Sequence, residues 1–249
     1  MSADPLRPLR ETVALGCRIL AARGLVDGVL GHISARVGPA SLLVRCRGPQ
    51  ERGVARTRPD DIRLVDLDGN HLEDSGGWQV PKELPIHTRV LATRPDVGAV
   101  VHAHPPSVLL CGLAEVPLRP VFGAYNIPAM RLAADGVPVY GRSILIARAE
   151  LADEMLAAMG ERPVCILRGH GITVTGQSVE QAVVRAVDLD ALCQITLRLA
   201  QLGANPPEVP EADRAELPDL GGAFNDQLHW QALTAELDAP PPPALPRRN

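Results

Sequence analysis

The sequence contains few aromatic residues and no excess of positive charge. Phe, Trp and Tyr make up 2% of the 249 residues, and acidic residues outnumber basic ones by 29 to 25. Proteins that bind nucleic acid usually stack bases on aromatic rings or present a basic surface to the phosphates. We therefore expect no nucleic-acid partner and predict a small-molecule substrate.

Long hydrophobic runs and paired cysteines are also missing. The most apolar stretch, residues 97–118, is interrupted by histidines and prolines, so we expect no membrane span. The N-terminus has no apolar segment of the kind that a signal peptide requires. The five cysteines are scattered without a CxxC spacing, as is typical of buried thiols in a reducing compartment. These absences predict a cytoplasmic protein without a membrane partner.

The length and the distribution of proline predict one domain followed by a tail. A chain of 249 residues can bury one large core, and its 46% hydrophobic and 22% charged content is ordinary for a globular protein. Proline becomes frequent after Ala204 and forms a run over residues 240–243. We predict one domain over residues 1–205 and a proline-rich tail over residues 206–249 that is partly irregular or disordered.

The hydrophobic pattern predicts helices at both ends of the domain, with strands and further helices between them. The predicted helices cover residues 6–23, 81–93, 149–159 and 178–202. Ser178 and Gln181 have the spacing of a capping box at the start of the last helix. The predicted strands cover residues 31–37, 41–46, 62–67, 97–104, 164–167 and 172–175. This pattern indicates a layered α/β domain but leaves the order of the strands open.

Two histidines separated by one residue lie at the end of the most apolar predicted strand. Side chains two residues apart on a strand point to the same side, about 6.6–6.8 Å apart at their Cα atoms. His102 and His104 can therefore direct two imidazoles at one metal ion, and Pro105 and Pro106 end the strand there. Two histidines that are hydrogen-bonded inside a core are the alternative interpretation.

A catalytic metal site of the zinc type needs a third protein ligand and one open position. His170 is the best candidate, because it lies between Gly169 and Gly171 at a turn between two predicted strands. Glycines leave room for the backbone to approach other groups closely. A polar turn residue without a ligand role is the alternative for His170.

Glu83 is the best candidate for a general acid or base. It lies early in the predicted helix that leads to the strand of His102, and a carboxylate beside a metal ion can ligate it or carry protons. The alternative is a glutamate favoured at this position only by the helix dipole. His87 shares a helix face with Glu83. The remaining histidines lack a setting comparable to that of the candidate ligands: His32, His71, His87 and His229.

Three segments resemble the class II aldolase/adducin family, which includes sugar-phosphate aldolases and epimerases. The segments are Pro81–His87, Val100–Pro105 and Leu167–Gly171, and the resemblance extends over roughly residues 8–202. It implies a single three-layer α/β/α domain with a central, mainly antiparallel sheet, assembled as a homotetramer. It also implies one divalent metal ion per subunit, with zinc favoured over manganese, iron or cobalt. By this resemblance Glu83 is the acid/base, and the metal ligands are His102, His104 and His170.

The chain departs from the family pattern where sugar-phosphate members hold phosphate. Those members carry a Gly-Asn pair, a Thr/Ser-Gly turn and a Ser-Ser pair, whereas this chain has Gly31-His32, Arg47-Gly48 and Pro81-Lys82. Phosphate needs several short donors, while arginine grips a planar carboxylate with two parallel bonds. Solvated surface charges are the alternative for Arg47 and Lys82. We predict a substrate without phosphate, bound by His32, Ser34, Arg47 and Lys82.

A finer resemblance suggests the reaction. The Gly-His-Ile-Ser, Arg-Cys-Arg-Gly-Pro-Gln and Pro-Lys-Glu-Leu segments are similar to those of dihydroxyphthalate-type decarboxylases within the family. This resemblance implies a metal-dependent carbon–carbon lyase, a decarboxylase of a hydroxylated aromatic carboxylic acid. An aldolase or epimerase acting on a non-phosphorylated hydroxy-keto acid or sugar is the main alternative. A metal-free interaction module like the adducins, and a non-haem iron oxygenase in which Glu83 completes the ligand set, are two further alternatives.

Overall fold

A seven-stranded sheet forms the centre of the computed structural model, which describes residues 4–238. Across the sheet the strands follow the order β3-β2-β1-β4-β7-β6-β5, and every neighbouring pair is antiparallel except β5–β6, which is parallel. The predicted mainly antiparallel sheet is therefore confirmed. The strand bounds are β1 (His32–Gly38), β2 (Ser41–Arg45), β3 (Ile62–Asp66), β4 (Ala99–Ala103), β5 (Val139–Tyr140), β6 (Val164–Leu167) and β7 (Gly171–Gly176).

Helices lie on both faces of this sheet. Their bounds are α1 (Arg7–Ala22), α2 (Leu84–Thr93), α3 (Pro106–Leu113), α4 (Ile127–Ala133), α5 (Ala149–Met159), α6 (Val179–Gln201), α7 (Glu211–Glu216) and α8 (His229–Asp238), with 3-10 turns at Val54–Arg56 and Pro59–Asp61 and a π-helix at Ala223–Leu228. One hydrophobic core includes α1, α3, α4, α6 and α8, and a second core on the other face includes α2 and α5. The predicted three-layer α/β fold is thus confirmed. None of the helices between residues 4 and 238 has the length and apolar character that a membrane crossing requires.

The central strand β4 is buried along its whole length. Val101 and Ala103 belong to the core that includes α1 and α6, whereas Val100 belongs to the core that includes α2 and α5. Because side chains alternate between the two faces of a strand, His102 lies on the same face as Val100. A register slip of one residue would exchange the faces, so the hydrophobic residues of β4 also set the orientation of His102.

The long helix α6 begins where the sequence predicts it. The Ser178 side chain accepts a hydrogen bond from the backbone N–H of Gln181 at 3.2 Å, and the Gln181 side chain accepts one from the backbone N–H of Gln177 at 2.9 Å. Two backbone donors at the helix start are thereby satisfied. α6 packs against β4 and β7, and it therefore supports two of the strands that carry the candidate site.

The helix predicted over residues 81–93 begins three residues later, at Leu84. A helix that started at Pro81 would need a hydrogen bond from the N–H of residue 85 to the carbonyl oxygen of residue 81. Residue 85 is a proline and has no N–H, so this bond cannot form. Glu83 therefore lies in the turn that precedes α2 rather than inside the helix, with φ of −96° and ψ of 26°.

The segment after Ala204, for which its proline content predicts irregular structure, contains α7, the π-helix and α8. Leu233 of α8 is buried in the core that includes α1 and α6, and Trp230 and Leu237 pack against the same core. This apolar stripe at helical spacing lies between two groups of prolines, so the average composition of the tail conceals it. The proline run at residues 240–243 lies outside the described residues.

Gly98 lies just before β4, where three backbone segments meet. Its N–H donates to the carbonyl oxygen of Gly176 at 2.9 Å, and its own carbonyl oxygen accepts from the N–H of Arg36 at 2.8 Å. A Cβ at this position would collide with the carbonyl oxygen of Gln177. We predict that Gly98→Ala lowers the free energy of unfolding by about 1–3 kcal/mol, as overpacking usually does.

Urea unfolding of Gly98→Ala and Gly141→Ala measures this effect. Gly141→Ala is the matched control, because nothing lies within 4 Å of the Cβ that it adds. We expect the control to keep its stability or to gain up to about 1 kcal/mol from reduced chain entropy in the unfolded state. Equal unfolding free energies for the two variants would contradict the close approach at Gly98.

Candidate metal centre

Antiparallel pairing brings the ends of three strands to one edge of the sheet. β4 lies between β1 and β7, and both neighbours run in the opposite direction. The end of β4 therefore lies beside the start of β1, where His32 is the Cα partner of His102, and beside the start of β7. The turn before β7 contains His170. Residues that are far apart in the sequence thus meet at this edge.

His102 and His104 direct their rings to the same place, as their spacing predicts. β4 ends at Ala103, and the backbone N–H of His104 donates to the carbonyl oxygen of Leu25 at 2.9 Å. The two ring centroids are 4.8 Å apart, and the two Nε2 atoms are 2.8 Å apart. At most one hydrogen can lie between two such nitrogens, so at least one of them offers a lone pair.

His170 comes from a turn that depends on its two glycines. Gly169 has φ of +63°, which is in the left-handed region that favours glycine. A Cβ at Gly171 would collide with the backbone of β4 and would lie 2.7 Å from the His104 ring. This close approach of the backbone is the role that the sequence predicts for the glycines. The His170 ring lies 4.9 Å from the ring of His102 and 5.0 Å from that of His104.

Glu83 reaches two of these histidines. Its Oε2 lies 3.3 Å from Nε2 of His102, and its Oε1 lies 3.4 Å from Nε2 of His170. Oε1 also accepts a hydrogen bond from the backbone N–H of Ile146 at 3.0 Å. Sequence reasoning missed Ile146, because a backbone donor in an irregular segment leaves no side-chain signal.

Burial and nearby charges set the protonation states of this group. Burial, together with the neighbouring His102 and His170, lowers the pKa of His104 to about 3. Burial by itself raises the pKa of Glu83, but the nearby imidazoles of His102 and His170 outweigh burial and hold that pKa well below its usual value. An uncharged His104 beside an anionic Glu83 is a combination that attracts a cation.

The four side chains fit a divalent metal ion. One ligand atom from each of them lies within 4.8 Å of the others, and we call Glu83, His102, His104 and His170 the His–Glu cluster. His102 Nδ1 bonds to the carbonyl oxygen of Ile172 at 2.9 Å. A carbonyl only accepts, so His102 carries its proton on Nδ1 and keeps a lone pair on Nε2. Three imidazoles and a carboxylate are donors that zinc, manganese, iron and cobalt accept.

His32 and Arg47, two predicted substrate residues, lie near the His–Glu cluster. The His32 ring is 5.0 Å from the ring of His102. Burial is the main cause that lowers the pKa of His32, and the positive charge of Arg47 adds to it. Arg47 donates from Nη2 to the carbonyl oxygen of Val29 at 3.1 Å. Its buried Nε has no hydrogen-bond partner within residues 4–238, so one donor is available to a ligand.

Ser34 and Lys82, the other two predicted substrate residues, have different settings. Ser34 is fully buried, and its hydroxyl lies 2.7 Å from Nδ1 of His87, so it contacts a protein side chain rather than the cluster. Lys82 is exposed and precedes Glu83 in the chain. Sequence reasoning did not foresee that His87 also bonds, through Nε2, to Nδ1 of His32 at 2.6 Å. The spacing of His87 from Glu83, which predicts a shared helix face, is the one sequence signal that points towards this site.

A backbone bridge joins the Arg47 segment to the segment that leads to Glu83. The N–H of Arg47 donates to the carbonyl oxygen of Gln79 at 2.9 Å, and the N–H of Gln79 donates back at 2.8 Å. Glu83 follows Gln79 by only four residues. The bridge therefore links the backbone of Arg47 to the segment that leads into Glu83.

Comparisons with known proteins agree with this geometry. The Class II Aldolase and Adducin N-terminal domain matches residues 11–197. A 3,4-dihydroxyphthalate decarboxylase from Arthrobacter keyseri is 55% identical over 233 residues, which cover 92% of this chain and 94% of that protein. A protein of the same name from Terrabacter sp. is 48% identical over 230 residues, with 92% and 96% covered. The crystal structure of an aldolase II superfamily protein from Pseudomonas syringae superposes with a TM-score of 0.80 at 26% identity, covering 95% of this chain and 94% of that one.

The chain belongs to the class II aldolase and adducin family. The predicted family is therefore confirmed. The relatives from Arthrobacter keyseri and Terrabacter sp. carry the decarboxylase name of the branch that the sequence resembles, so the predicted branch is confirmed as well.

We predict that His170→Ala loses most of the bound metal. Loss of a hydrogen-bond partner of a ligand weakens metal affinity by about 10–100-fold, and loss of a ligand should weaken it at least as much. His71→Ala is the control, because His71 lies outside the His–Glu cluster. Elemental analysis after reconstitution with zinc, of protein purified without a nickel column, gives the readout. Equal zinc content in the two variants would contradict a ligand role for His170.

Proposed function

We propose that the chain is a metal-dependent carboxy-lyase that removes carbon dioxide from a dihydroxylated aromatic acid of the 3,4-dihydroxyphthalate type. The observation that carries the proposal is the His–Glu cluster with Arg47 and His32 near it, in a chain 55% identical to a 3,4-dihydroxyphthalate decarboxylase. The alternative of an aldolase or epimerase requires a hydroxy-keto acid or sugar at the same cluster.

The groups near the cluster suit the oxygen atoms of such a substrate. Its two adjacent hydroxyls can reach one metal ion together, and its carboxylates are anions that need donors. Arg47, whose buried Nε lacks a partner within residues 4–238, can grip a carboxylate with two parallel hydrogen bonds. We assign a substrate contact to His32 as well. Lys82 supplies a second positive charge for the substrate anion, and its attraction is weaker because Lys82 is exposed to water.

Glu83 carries the proton in this proposal. A divalent ion held by His102, His104 and His170 would supply Lewis acidity towards the vicinal oxygens of the substrate. Glu83 is a carboxylate in the resting site, so it first accepts the proton of a substrate hydroxyl and then delivers it to the ring carbon that loses CO2. The electron pair of the broken carbon–carbon bond stays with the ring and forms the new C–H bond. The product hydroxyl regains its proton from water.

The backbone N–H of Ile146 orients this proton carrier. It donates to Oε1 of Glu83 at 3.0 Å and so stabilises the carboxylate in one position. Oε2, which has no backbone bond within residues 4–238, faces His102 at 3.3 Å. We therefore assign the proton transfer to Oε2.

We also propose an identity for the metal, an assembly, a location and a division of the chain. The metal is zinc, the ion that the family resemblance favours for a set of histidine and carboxylate donors. The protein is a homotetramer and acts in the cytoplasm. Residues 1–205 form the metal-binding domain, and residues 206–249 are an appended tail of which α8 packs back on the domain.

We predict that Glu83→Gln keeps its metal but loses turnover by about 10²–10⁴-fold, since glutamine keeps an acceptor for Ile146 but cannot carry the proton. Metal-loaded protein is incubated with 3,4-dihydroxyphthalate, and CO2 release is measured together with aldehyde release. Glu150→Gln is the control, because the Glu150 side chain is 77% exposed on α5.

Two outcomes would contradict this proposal. Full turnover by Glu83→Gln would remove Glu83 from the mechanism. No CO2 from 3,4-dihydroxyphthalate, together with aldehyde release from a hydroxy-keto acid, would favour the aldolase alternative over the decarboxylase.

We predict that Arg47→Ala raises KM about 10–100-fold and lowers kcat less, because a hydrogen bond to a charged group contributes about 1.5–3 kcal/mol. Arg52→Ala is the control, since Arg52 is exposed five residues further along the chain. Steady-state kinetics of both variants give the comparison. A variant of Arg47 with unchanged KM would show that this arginine does not hold the carboxylate.

A further inference from the structure

Three buried polar side chains form a hydrogen-bonded row near the His–Glu cluster. Ser34 and His32 lie two residues apart on β1, and His87 lies on α2 between them. The Ser34 hydroxyl is 2.7 Å from His87 Nδ1, and His87 Nε2 is 2.6 Å from His32 Nδ1. Ser34 and His87 are fully buried, and His32 is 4% exposed. Such a row has a direction, because every bond in it needs one donor and one acceptor.

The two imidazoles leave only two possible directions. Burial lowers the pKa of both imidazoles, which favours the neutral form with one N–H on each ring. In the first direction Ser34 donates to His87, His87 donates to His32, and the single proton of His32 is on Nε2. In the second direction every bond is reversed, and the proton of His32 is on Nδ1.

Ser34 decides between these directions. Its hydroxyl has one hydrogen, and within residues 4–238 its one hydrogen-bond partner is His87. In the second direction His87 would donate to Ser34, and the serine hydrogen would be buried without an acceptor, at a cost of about 1–3 kcal/mol. In the first direction the Ser34 hydroxyl donates this hydrogen to Nδ1 of His87. The row therefore runs from Ser34 through His87 to His32.

We infer that Ser34 and His87 are positioning residues that hold His32 as the Nε2–H tautomer, so that His32 gives a neutral hydrogen bond to an anionic oxygen of the substrate. The inference rests on the proposed function and deepens it. The two nitrogens of an imidazole point in widely different directions. Since Nδ1 is bonded to His87, Nε2 is the nitrogen that remains for a ligand.

The same tautomer would keep Nε2 of His32 from binding a metal ion. Its ring is 5.0 Å from that of His102, almost as near as the rings of His104 and His170 at 4.8 and 4.9 Å. A nitrogen that carries a proton has no lone pair for a metal ion. The row therefore separates His32, which offers a hydrogen, from the three neighbouring histidines of the His–Glu cluster, which are the candidate metal ligands.

Neutron diffraction from deuterated crystals of the zinc-loaded protein tests the row without an activity assay. We expect deuterium on Nε2 of His32 and on Nε2 of His87, with the Ser34 hydroxyl directed at His87 Nδ1. Deuterium on Nδ1 of His32 would overturn the inference. If the wild-type protein does not turn over 3,4-dihydroxyphthalate, the proposed function fails, whereas the neutron result still decides the direction of the row.

Kinetics with 3,4-dihydroxyphthalate test the consequence of the row, which is the hydrogen bond from His32 to the substrate. We expect His87→Leu to raise KM about 10–100-fold, the range for a lost hydrogen bond to a charged group, with unchanged zinc content and a smaller fall in kcat. His87→Gln, which keeps a donor for His32, should recover most of the loss. An unchanged KM in His87→Leu, or no recovery in His87→Gln, would overturn the inference.

A second variant covers the case in which His87→Leu does not fold. Ser34→Ala removes the hydrogen that sets the direction of the row but keeps both imidazoles. We expect KM to rise, because the proton of His87 can then lie on its own Nδ1 instead of on Nε2. His32 would no longer be held as the Nε2–H tautomer. Wild-type KM in Ser34→Ala would also overturn the inference.

Discussion

The antiparallel register of β4 between β1 and β7 is the constraint on which the site depends. It places the end of one strand beside the starts of two others, and this alone brings histidines from positions 32, 102 and 170 together. The backbones approach so closely at Gly171 that no side chain fits there. The α2 layer then adds Glu83 and His87 from the same side as His102, so that the proposed proton carrier, the candidate metal ligands and the proposed positioning residues meet at one edge.

Burial of so many polar groups at this edge costs free energy unless each group finds a partner. The backbone supplies several of these partners. Ile146 donates to Glu83, and Ile172 accepts from His102. Such bonds orient the side chains before any ligand arrives, because backbone groups inside a packed domain move little. The hydrogen bonds that make this burial tolerable therefore also hold the side chains in their orientations.

The sequence predicts the sheet well where a strand is a local apolar run, and poorly where structure depends on distant contacts. β6 is predicted at its observed bounds, since Val164–Leu167 is an isolated apolar segment. The two residues of β5 are too few for a pattern, and they form a strand only because β6 lies beside them. The spacing of His102 and His104 is local and is readily recognised. The partners of Glu83 and His32 are not local, and Ile146 and His87 show their roles only once the chain is folded.

The backbone bridge between Arg47 and Gln79 couples the proposed substrate contact to the proposed proton carrier. A loop of different length at Arg47 would pull on the segment between Gln79 and Glu83, because Glu83 follows the bridge by only four positions. The two parts of the site consequently form a single unit for evolution and for engineering. New specificity is accessible by exchange of side chains on this frame, whereas transplantation of a whole loop from another family member would displace the carboxylate as well.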